Sequence, residues 1–568
     1  MTATWQLLVI PLLLYLGPSV ANPIAPVTKF IILHNNDMHA RFEQTNINGG
    51  SCSKEQAEQN KCYGGFARVA HEVRRHREEA KNGGTAVLYL NAGDTYTGTN
   101  WFAVFKDKMV SAFLNKLQPD ASSLGNHEFD ESVQGLIPFL NAVNFPVLAC
   151  NLDLSLEPEL AATHLSNSTI LQVNGAKIGI IGYLTPKTKE DTFSNVVFEE
   201  EIIAINAEAA RLKAKGINII IALGHSGYLK DQQIAKNCPE VDLVIGGHSH
   251  TYLESNKPIA AFDDTASEAN RGPFPTVVEQ PSGKKVPVVQ AFAYTKYLGK
   301  LHVQFDVEGN LVECDGAPLA LNATIAQDQD ILDLLEIYRP NVTAHGQRIV
   351  GHSKVFLEGG GVCRLRECNL GNVIADSMVY ARMKENKSME YWTDAAVALI
   401  QGGGIRTSVL RNSADSINFG DIVDIMPFKL RLLVTRITGK TLLNILEHSA
   451  AVRTTDSKGG FLQFSGLQVV YDFGRAAGNR VVSVLVRCAE CIAPSYSPLN
   501  TTAEYNIVVT DFLLRGGDGF VFSETPTETY TEFLQKGDQA ALEQYFQDHN
   551  FVYPGIENRI IIRNSTTF

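Results

Sequence analysis

Five short apolar runs, at 30–34, 86–90, 177–181, 217–223 and 241–245, each end in a cluster of polar residues. Runs of this length, rich in Ile, Val and Leu, predict buried β-strands. Between the first two, residues 64–81 carry apolar positions at helical spacing, which predicts a surface helix. Strand and amphipathic helix alternate from about Lys29 to Asp306, the pattern of layered α/β packing. Polar residues at the carboxyl ends of such strands converge on one sheet edge, where open α/β folds place ligands. Residues 327–348 form a polar, helix-compatible connector, and a second α/β or α+β region runs on to about Arg563.

A chain of 568 residues exceeds what one hydrophobic core supports, so two domains are expected. With 45% hydrophobic and 19% charged residues the composition is that of a globular protein. The formal net charge of −12 repels nucleic acid and anionic membrane surfaces, so an anionic small substrate needs a local positive site.

An apolar stretch over 7–16, then Gly17-Pro18 and Ser19-Val20-Ala21, predicts a secretion signal at 1–21. The alternative, an N-terminal anchor, has a short run with which to span a bilayer. No later segment reaches transmembrane length, and the C-terminus lacks the hydrophobic tail of a lipid-anchor signal, so a secreted, extracellular chain without membrane anchor is expected. Six Asn-x-Ser/Thr sequons, at Asn167, Asn322, Asn341, Asn386, Asn500 and Asn564, fit a secreted glycoprotein. Nine cysteines include three close pairs, Cys52 with Cys62, Cys363 with Cys368 and Cys488 with Cys491. In an oxidising compartment these pairs read as disulfides, with a zinc knuckle as the alternative; Cys150, Cys238 and Cys314 are left over.

Five motifs follow the predicted strands in order: Asn36-Asp37-Met38-His39, Gly93-Asp94, Gly125-Asn126-His127-Glu128 with Asp130, Gly224-His225, and Gly247-His248-Ser249-His250. In extended backbone Asp37 and His39 leave on the same side and can grip one ion, with Asp94 bridging to a second. Glycines before Asp94, Asn126, His225 and His248 permit tight turns. Carboxylate, amide oxygen and imidazole together suit Zn²⁺, Mn²⁺ or Fe better than Ca²⁺. Any one motif alone is more often an ordinary loop; five in this order, all at strand ends, point to a two-metal centre. Two such ions activate water and clamp the oxygens of an in-line displacement at phosphorus. His127 would stabilise phosphoryl charge or protonate the leaving group, with Asp130 orienting its imidazole.

These residues resemble the calcineurin-like metallophosphoesterases, and more closely the 5'-nucleotidase family, which includes ecto-5'-nucleotidases and the salivary apyrases of blood-feeding arthropods. The resemblance implies an α/β protein of two domains. An N-terminal four-layer α/β/β/α metallophosphoesterase domain would occupy 26–326, a helical linker 327–348, and a C-terminal α/β nucleotide-binding domain 349–564. It implies that Asp37, His39, Asp94 and His250 hold one ion, and Asp94, Asn126, His225 and His248 the other. Zn²⁺ is the expected ion, with Mn²⁺, Mg²⁺ or Ca²⁺ as assay alternatives. His250 stands where vertebrate ecto-5'-nucleotidases carry Asn.

The resemblance further implies that Arg364 and Arg406, with Arg41 as a third candidate, contact phosphate. Phe428 and Phe512 would sandwich the base, and Asp518 would bind the ribose hydroxyls. It also implies a domain rotation that delivers the nucleotide, and admits a homodimer through the C-terminal domain. Gln401 replaces a substrate-contacting Asn, Lys429-Leu430-Arg431 replaces a pair of glycines, and Ala375 and Ala398 stand where relatives have a further disulfide. The longer amide and added positive charge lead to the expectation of an apyrase acting on ATP and ADP, which in a salivary protein would suppress platelet aggregation. The alternatives are a secreted 5'-nucleotidase acting on AMP, and a non-catalytic binding protein on the same scaffold.

Overall fold

The computed structural model describes residues 28–192, 194–254, 270–385, 390–410, 415–453, 459–522, 527–529 and 536–564. The expected secretion signal at 1–21 and the sequon at Asn386 lie outside the described residues.

Two six-stranded sheets build the N-terminal half. The first runs in the order Leu311–Ala320, Tyr297–Phe305, Thr28–Asn35, Ala86–Asn91, Ala121–Ser123, Val147–Leu148. The second runs Thr276–Glu279, Lys285–Val289, Leu243–Ile245, Ile219–His225, Ala176–Leu184, Ser168–Val173. All five predicted strands are present. Thr28–Asn35, Ala86–Asn91 and Ala121–Ser123 are mutually parallel, as are Ala176–Leu184, Ile219–His225 and Leu243–Ile245, so their carboxyl ends gather at one edge of each sheet.

Strand periodicity explains the layering. Phe30, Ile32, Leu88 and Leu90 point inward and share one core with Ile180, Ile221 and Val244 of the second sheet. Their neighbours Leu33 and Tyr89 point the other way and pack with Phe66, Val69 and Val73 of the helix Phe66–Lys81. Ala204, Ile205 and Leu212 of the helix Glu201–Ala214 cover the second sheet. The result is the α/β/β/α order.

The helix Gln329–Gly346 buries Ile331 and Leu335 against the first half before the chain enters the second. There a five-stranded sheet in the order Leu462–Ser465, Val397–Gln401, Glu504–Thr510, Leu432–Thr438, Thr527–Thr529 lies with the helices Asn369–Glu385, Gly439–Val452 and Gly537–His549. All three cysteine pairs are disulfides, Cys52–Cys62, Cys363–Cys368 and Cys488–Cys491, which removes the zinc-knuckle alternative. Cys150 and Cys238 are buried thiols and Cys314 is half-buried. Among the described residues no helix is long and apolar enough to cross a membrane.

Where the sheets meet, Gly182 packs so closely that a Cβ would overlap the main chain of Leu148. Gly182→Ala is therefore expected to lower the unfolding free energy by about 2 kcal/mol through overpacking. The check is a shift of the denaturation midpoint at unchanged slope.

Candidate active site

The loops that follow the parallel strands are laced together before any side chain is considered. Asp37 N–H donates to the Gly93 carbonyl at 3.0 Å, His39 N–H to the Asp94 carbonyl at 2.9 Å, and Ala40 N–H to the Thr95 carbonyl at 2.8 Å. Asp37 and His39 do not converge through extended backbone, as their spacing suggests; both lie beyond the strand end in left-handed conformation, at φ 50° and 46°. Asp94, His248 and His250 share this feature, at φ 56°, 77° and 49°. Non-glycine residues persist there only where the surroundings over-determine them, and such strain clusters at functional sites. Of the glycines before the ligands, Gly93 alone uses positive φ, at 78°, whereas Gly125 serves close approach: a Cβ there would overlap Asp94 Oδ1.

The side chains form two neighbouring groups of buried and half-buried donors. Asp37, His39 and His250 make one, and Asp94, His225 and His248 the other; within each group the candidate ligand atoms lie within 4.8 Å of one another. A third combination, His39, Asp94 and His127, satisfies the same limit. His225 Nε2 stands 2.8 Å from Asp94 Oδ2 and 3.6 Å from Asp37 Oδ1. Asn126 Oδ1 accepts from His248 Nδ1 at 2.9 Å, which brings the amide into the second group.

Burial works against both carboxylates. His225, His127 and His39 nevertheless hold Asp94 well below the usual carboxylate range, and His250 and His225 do the same, less strongly, for Asp37. Burial drives His248 down to about 3 and His250 down to about 4, so both are neutral, the form that ligates metal. His39 Nδ1 donates to the Thr97 carbonyl at 3.1 Å and His225 Nδ1 to the Ala92 carbonyl at 2.7 Å, which leaves each Nε2 turned into the site.

This donor set fits a pair of divalent cations. His39 Nε2 and His250 Nε2 face each other at 3.2 Å. Burial opposes a charge on His225, but Asp94, whose Oδ2 lies 2.8 Å from its Nε2, and Asp37 push it up to about 10, so without an ion a proton takes the place of the cation. Lone pairs and carboxylates aimed at common points in this way are satisfied by metal ions. Asp37, His39, Asp94 and His250 would hold one and Asp94, Asn126, His225 and His248 the other, and such ions activate water and stabilise charge on the phosphoryl oxygens.

His127 stands beside the donors with Nδ1 3.0 Å from both oxygens of Asp130. Burial opposes its charged form, but Asp130 and Asp94 overcome that and push it up to about 9. Those carboxylates favour the imidazolium, with Nδ1 against Asp130 and Nε2 3.9 Å from Asp94 Oδ2, a form that would donate to a phosphoryl or leaving oxygen.

The C-terminal half reaches this centre directly. Arg406 Nη2 lies 2.9 Å from His39 Nε2 and 3.4 Å from His250 Nε2, and the Phe428 ring stacks on His127 at 5.0 Å. Arg364 is buried nearby, and burial together with Arg406 lowers it to about 10. Burial raises the phenol of Tyr294, yet Arg406, Arg41 and Arg364 outweigh it and bring the group below its ordinary range. The surroundings of Tyr294 therefore carry a surplus of positive charge, the local anion site that the acidic chain requires. Asp518 has its carboxyl raised by burial, while Arg364 and Lys187 oppose that rise. Phe512 packs on Gly517, where a Cβ would strike its ring.

Residues 30–252 match the family described as calcineurin-like phosphoesterase, and residues 349–524 match 5'-nucleotidase, C-terminal domain. A Lutzomyia longipalpis protein, Protein 5NUC, is 45% identical over 94% of this chain and 93% of its own length. The human 5'-nucleotidase is 37% identical over 97% of this chain and 93% of its own. The chain belongs to the 5'-nucleotidase family. The crystal structure of a 5'-nucleotidase precursor from Thermus thermophilus, 33% identical, superposes with a TM-score of 0.83 over 95% of this chain and 100% of that one. As a member of the 5'-nucleotidase family the protein is a metal-dependent nucleotide phosphohydrolase.

Within this 5'-nucleotidase fold some residues stand apart from their expected places. Arg41 is turned into the protein: its guanidinium donates to the carbonyls of His39 at 2.8 Å, Gly98 at 2.6 Å and Gly49 at 3.1 Å, and lies 4.4 Å over the Tyr294 ring. These bonds brace the ligand loop through Nε and Nη1, while Nη2 is buried without a hydrogen-bond partner. Gln401 is buried beneath its own glycine turn, with Oε1 unpartnered. Lys429 and Arg431 are exposed, and Arg431 Nε pairs with Asp511 at 3.1 Å. Lys429 sits at φ 54°, a conformation that suits the glycines expected of relatives.

Two supporting groups escaped the sequence reading. Glu128 accepts from the backbone N–H groups of Asp94 at 3.0 Å, Thr95 at 2.7 Å, Tyr96 at 3.2 Å and Gly125 at 2.6 Å, so one buried carboxylate shapes the turn under Asp94. Asn36 Nδ2 donates to Asp37 Oδ2 and to the Phe292 carbonyl, both at 2.6 Å. Each adjoins a predicted ligand in sequence, and that adjacency was the available signal.

His127→Ala is expected to lower kcat by about 10²–10⁴-fold. Bound metal, measured by atomic absorption, should stay unchanged, because Asp130 and not an ion holds the imidazole. Asp130→Asn should reproduce part of the loss.

Proposed function

We propose that the protein removes the 5'-phosphate of nucleoside monophosphates, AMP being the reference substrate, outside the cell. The observation that carries this reading is the stack of Phe428 on His127. An aromatic face for the base lies directly against the imidazolium that serves the leaving oxygen, which suits a nucleotide with one phosphate between sugar and metals. The match to 5'-nucleotidases of known name supports it. The expectation of ATP and ADP rested partly on added charge at Lys429 and Arg431; with both side chains at the surface, that argument falls away.

Entry of the nucleotide requires the domain carrying Arg406 and Phe428 to swing away from His39 and His127 and return with its cargo. The apolar stretch at 7–16, the three disulfides and the exposed sequons Asn167, Asn341, Asn500 and Asn564 support secretion.

Orthophosphate release from AMP, ADP and ATP by the purified chain tests the reading. AMP should be favoured in kcat/KM by at least about tenfold. A chelator should abolish turnover and Zn²⁺ or Mn²⁺ restore it. Release from ADP and ATP with AMP spared would establish the apyrase reading instead, and absence of turnover with any metal would favour a binding protein on this scaffold.

A further inference from the structure

We propose that Gln290, buttressed by Asp231, is the positioning residue that fixes His248 and His250, one candidate ligand of each of two metal ions, relative to each other. The inference rests on the assignment of His248 and His250 as ligands of different ions, and not on which nucleotide is hydrolysed.

His248 belongs to the group with Asp94 and His225, and His250 to the group with Asp37 and His39. Both ride on one short loop, 247–251, in which each histidine occupies left-handed backbone. Such a loop needs an external constraint to keep its shape.

Main-chain bonds hold single points of the loop, Gly227 N–H to the Gly247 carbonyl at 3.1 Å, His248 N–H to Asp37 Oδ2 at 2.9 Å and Phe292 N–H to the Thr251 carbonyl at 3.1 Å, and one side chain ties its two ends together. Gln290, completely buried just past the strand Lys285–Val289, grips both ends of the loop. Its Nε2 donates to the Gly247 carbonyl at 2.9 Å, and its Oε1 accepts from Thr251 N–H at 3.1 Å and from Ser249 Oγ at 3.2 Å. The second Nε2 hydrogen goes to Asp231 Oδ2 at 2.7 Å. Every donor and acceptor of the amide is thereby used.

Asp231 buttresses the amide from the side away from the loop. It lies on the helix Tyr228–Asn237, fully buried, and its other oxygen accepts from the Tyr183 hydroxyl at 2.7 Å. The main chain fixes the amide: Thr251 N–H can only donate and the Gly247 carbonyl can only accept, so Oε1 faces Thr251 and Nε2 faces Gly247. Burial pushes Asp231 up to about 7, and its Oδ2 takes the second Nε2 hydrogen. The chain at Gly246 rests on the same carboxylate, where a Cβ would overlap Asp231 Oδ2. One hydrogen-bonded chain, Tyr183–Asp231–Gln290, therefore runs from the second sheet to the loop that bears a ligand of each ion.

The full chain with Gln290→Glu, nearly isosteric but unable to donate to Gly247 and facing Asp231 with a second carboxylate, tests the proposal. Zn²⁺ affinity at both sites is read by competition with a chromophoric chelator, alongside thermal unfolding of the chelator-treated protein. Affinity should fall about 10–100-fold at both ions together. Because two facing buried carboxylates also lower the stability of the metal-free protein, affinity is read well below the unfolding midpoint of the variant. Asp231→Asn, whose amide oxygen can still accept from Gln290, should keep most of the affinity, and Asp231→Leu should lose it as Gln290→Glu does. Wild-type affinity in Gln290→Glu, loss confined to one ion, or an Asp231→Leu protein that binds both ions normally would each overturn the proposal. These readouts use no nucleotide, so they stand apart from the AMP assay.

Discussion

Two carboxylates, Asp37 and Asp94, lie fully buried at the ends of neighbouring parallel strands. A buried charge is tolerated only when it is paired and hydrogen-bonded. Much of the N-terminal domain meets that requirement. Parallel strands bring four loops to adjoining edges, and those loops supply imidazoles, an amide and main-chain donors around the two acids. Left-handed backbone at Asp37, His39, Asp94, His248 and His250 is the conformational cost of aiming so many groups inward from so little chain. The arrangement leaves nitrogen lone pairs facing one another and carboxylates facing histidines, a pattern that divalent cations complete.

Chemistry and selection are divided between the two halves. The N-terminal half holds the groups that would ligate metal and the His127–Asp130 pair that would handle a proton. The C-terminal half brings Arg406 and Phe428 to within touching distance of them, across an interface otherwise stitched by contacts such as Ser51 Oγ to Asp424 Oδ2 at 2.8 Å and Thr407 Oγ1 to the Asn48 carbonyl at 3.2 Å. Polar bonds of this kind are worth about 1 kcal/mol each. Arg364 and Arg406 crowd together around Tyr294, so the site gains most when a phosphate enters between them.

Much of this was legible beforehand. Strands show as apolar runs because both faces of each sheet are covered, and the helix Phe66–Lys81 shows as a 3.6-residue period because one face meets Leu33 and Tyr89. Ligand motifs were readable because each follows a strand directly and so has little freedom in where it points. The route by which Asp37 and His39 converge was misread, since spacing alone implies extended backbone. The bonds from Arg41 to the carbonyls of His39, Gly49 and Gly98 were not readable from local sequence, because a guanidinium next to a ligand can face either substrate or main chain. Lys429 and Arg431 were given to the substrate on charge alone, and the nearness of Asp511 to Arg431 had no trace in local sequence.

The amino-acid order by itself determined the local facts: which segments are strands and helices, which cysteines are close enough to pair, and which donor types stand at strand ends. These follow from periodicity and from neighbours a few residues apart. Tertiary structure alone decided the rest. Glu128 beneath Asp94, Gln290 across the His248–His250 loop and Arg406 against His39 each join groups that only packing makes adjacent, over separations up to 367 residues. A hydrogen bond or an ion pair acts over a few ångströms, and that range is counted in space, not along the chain.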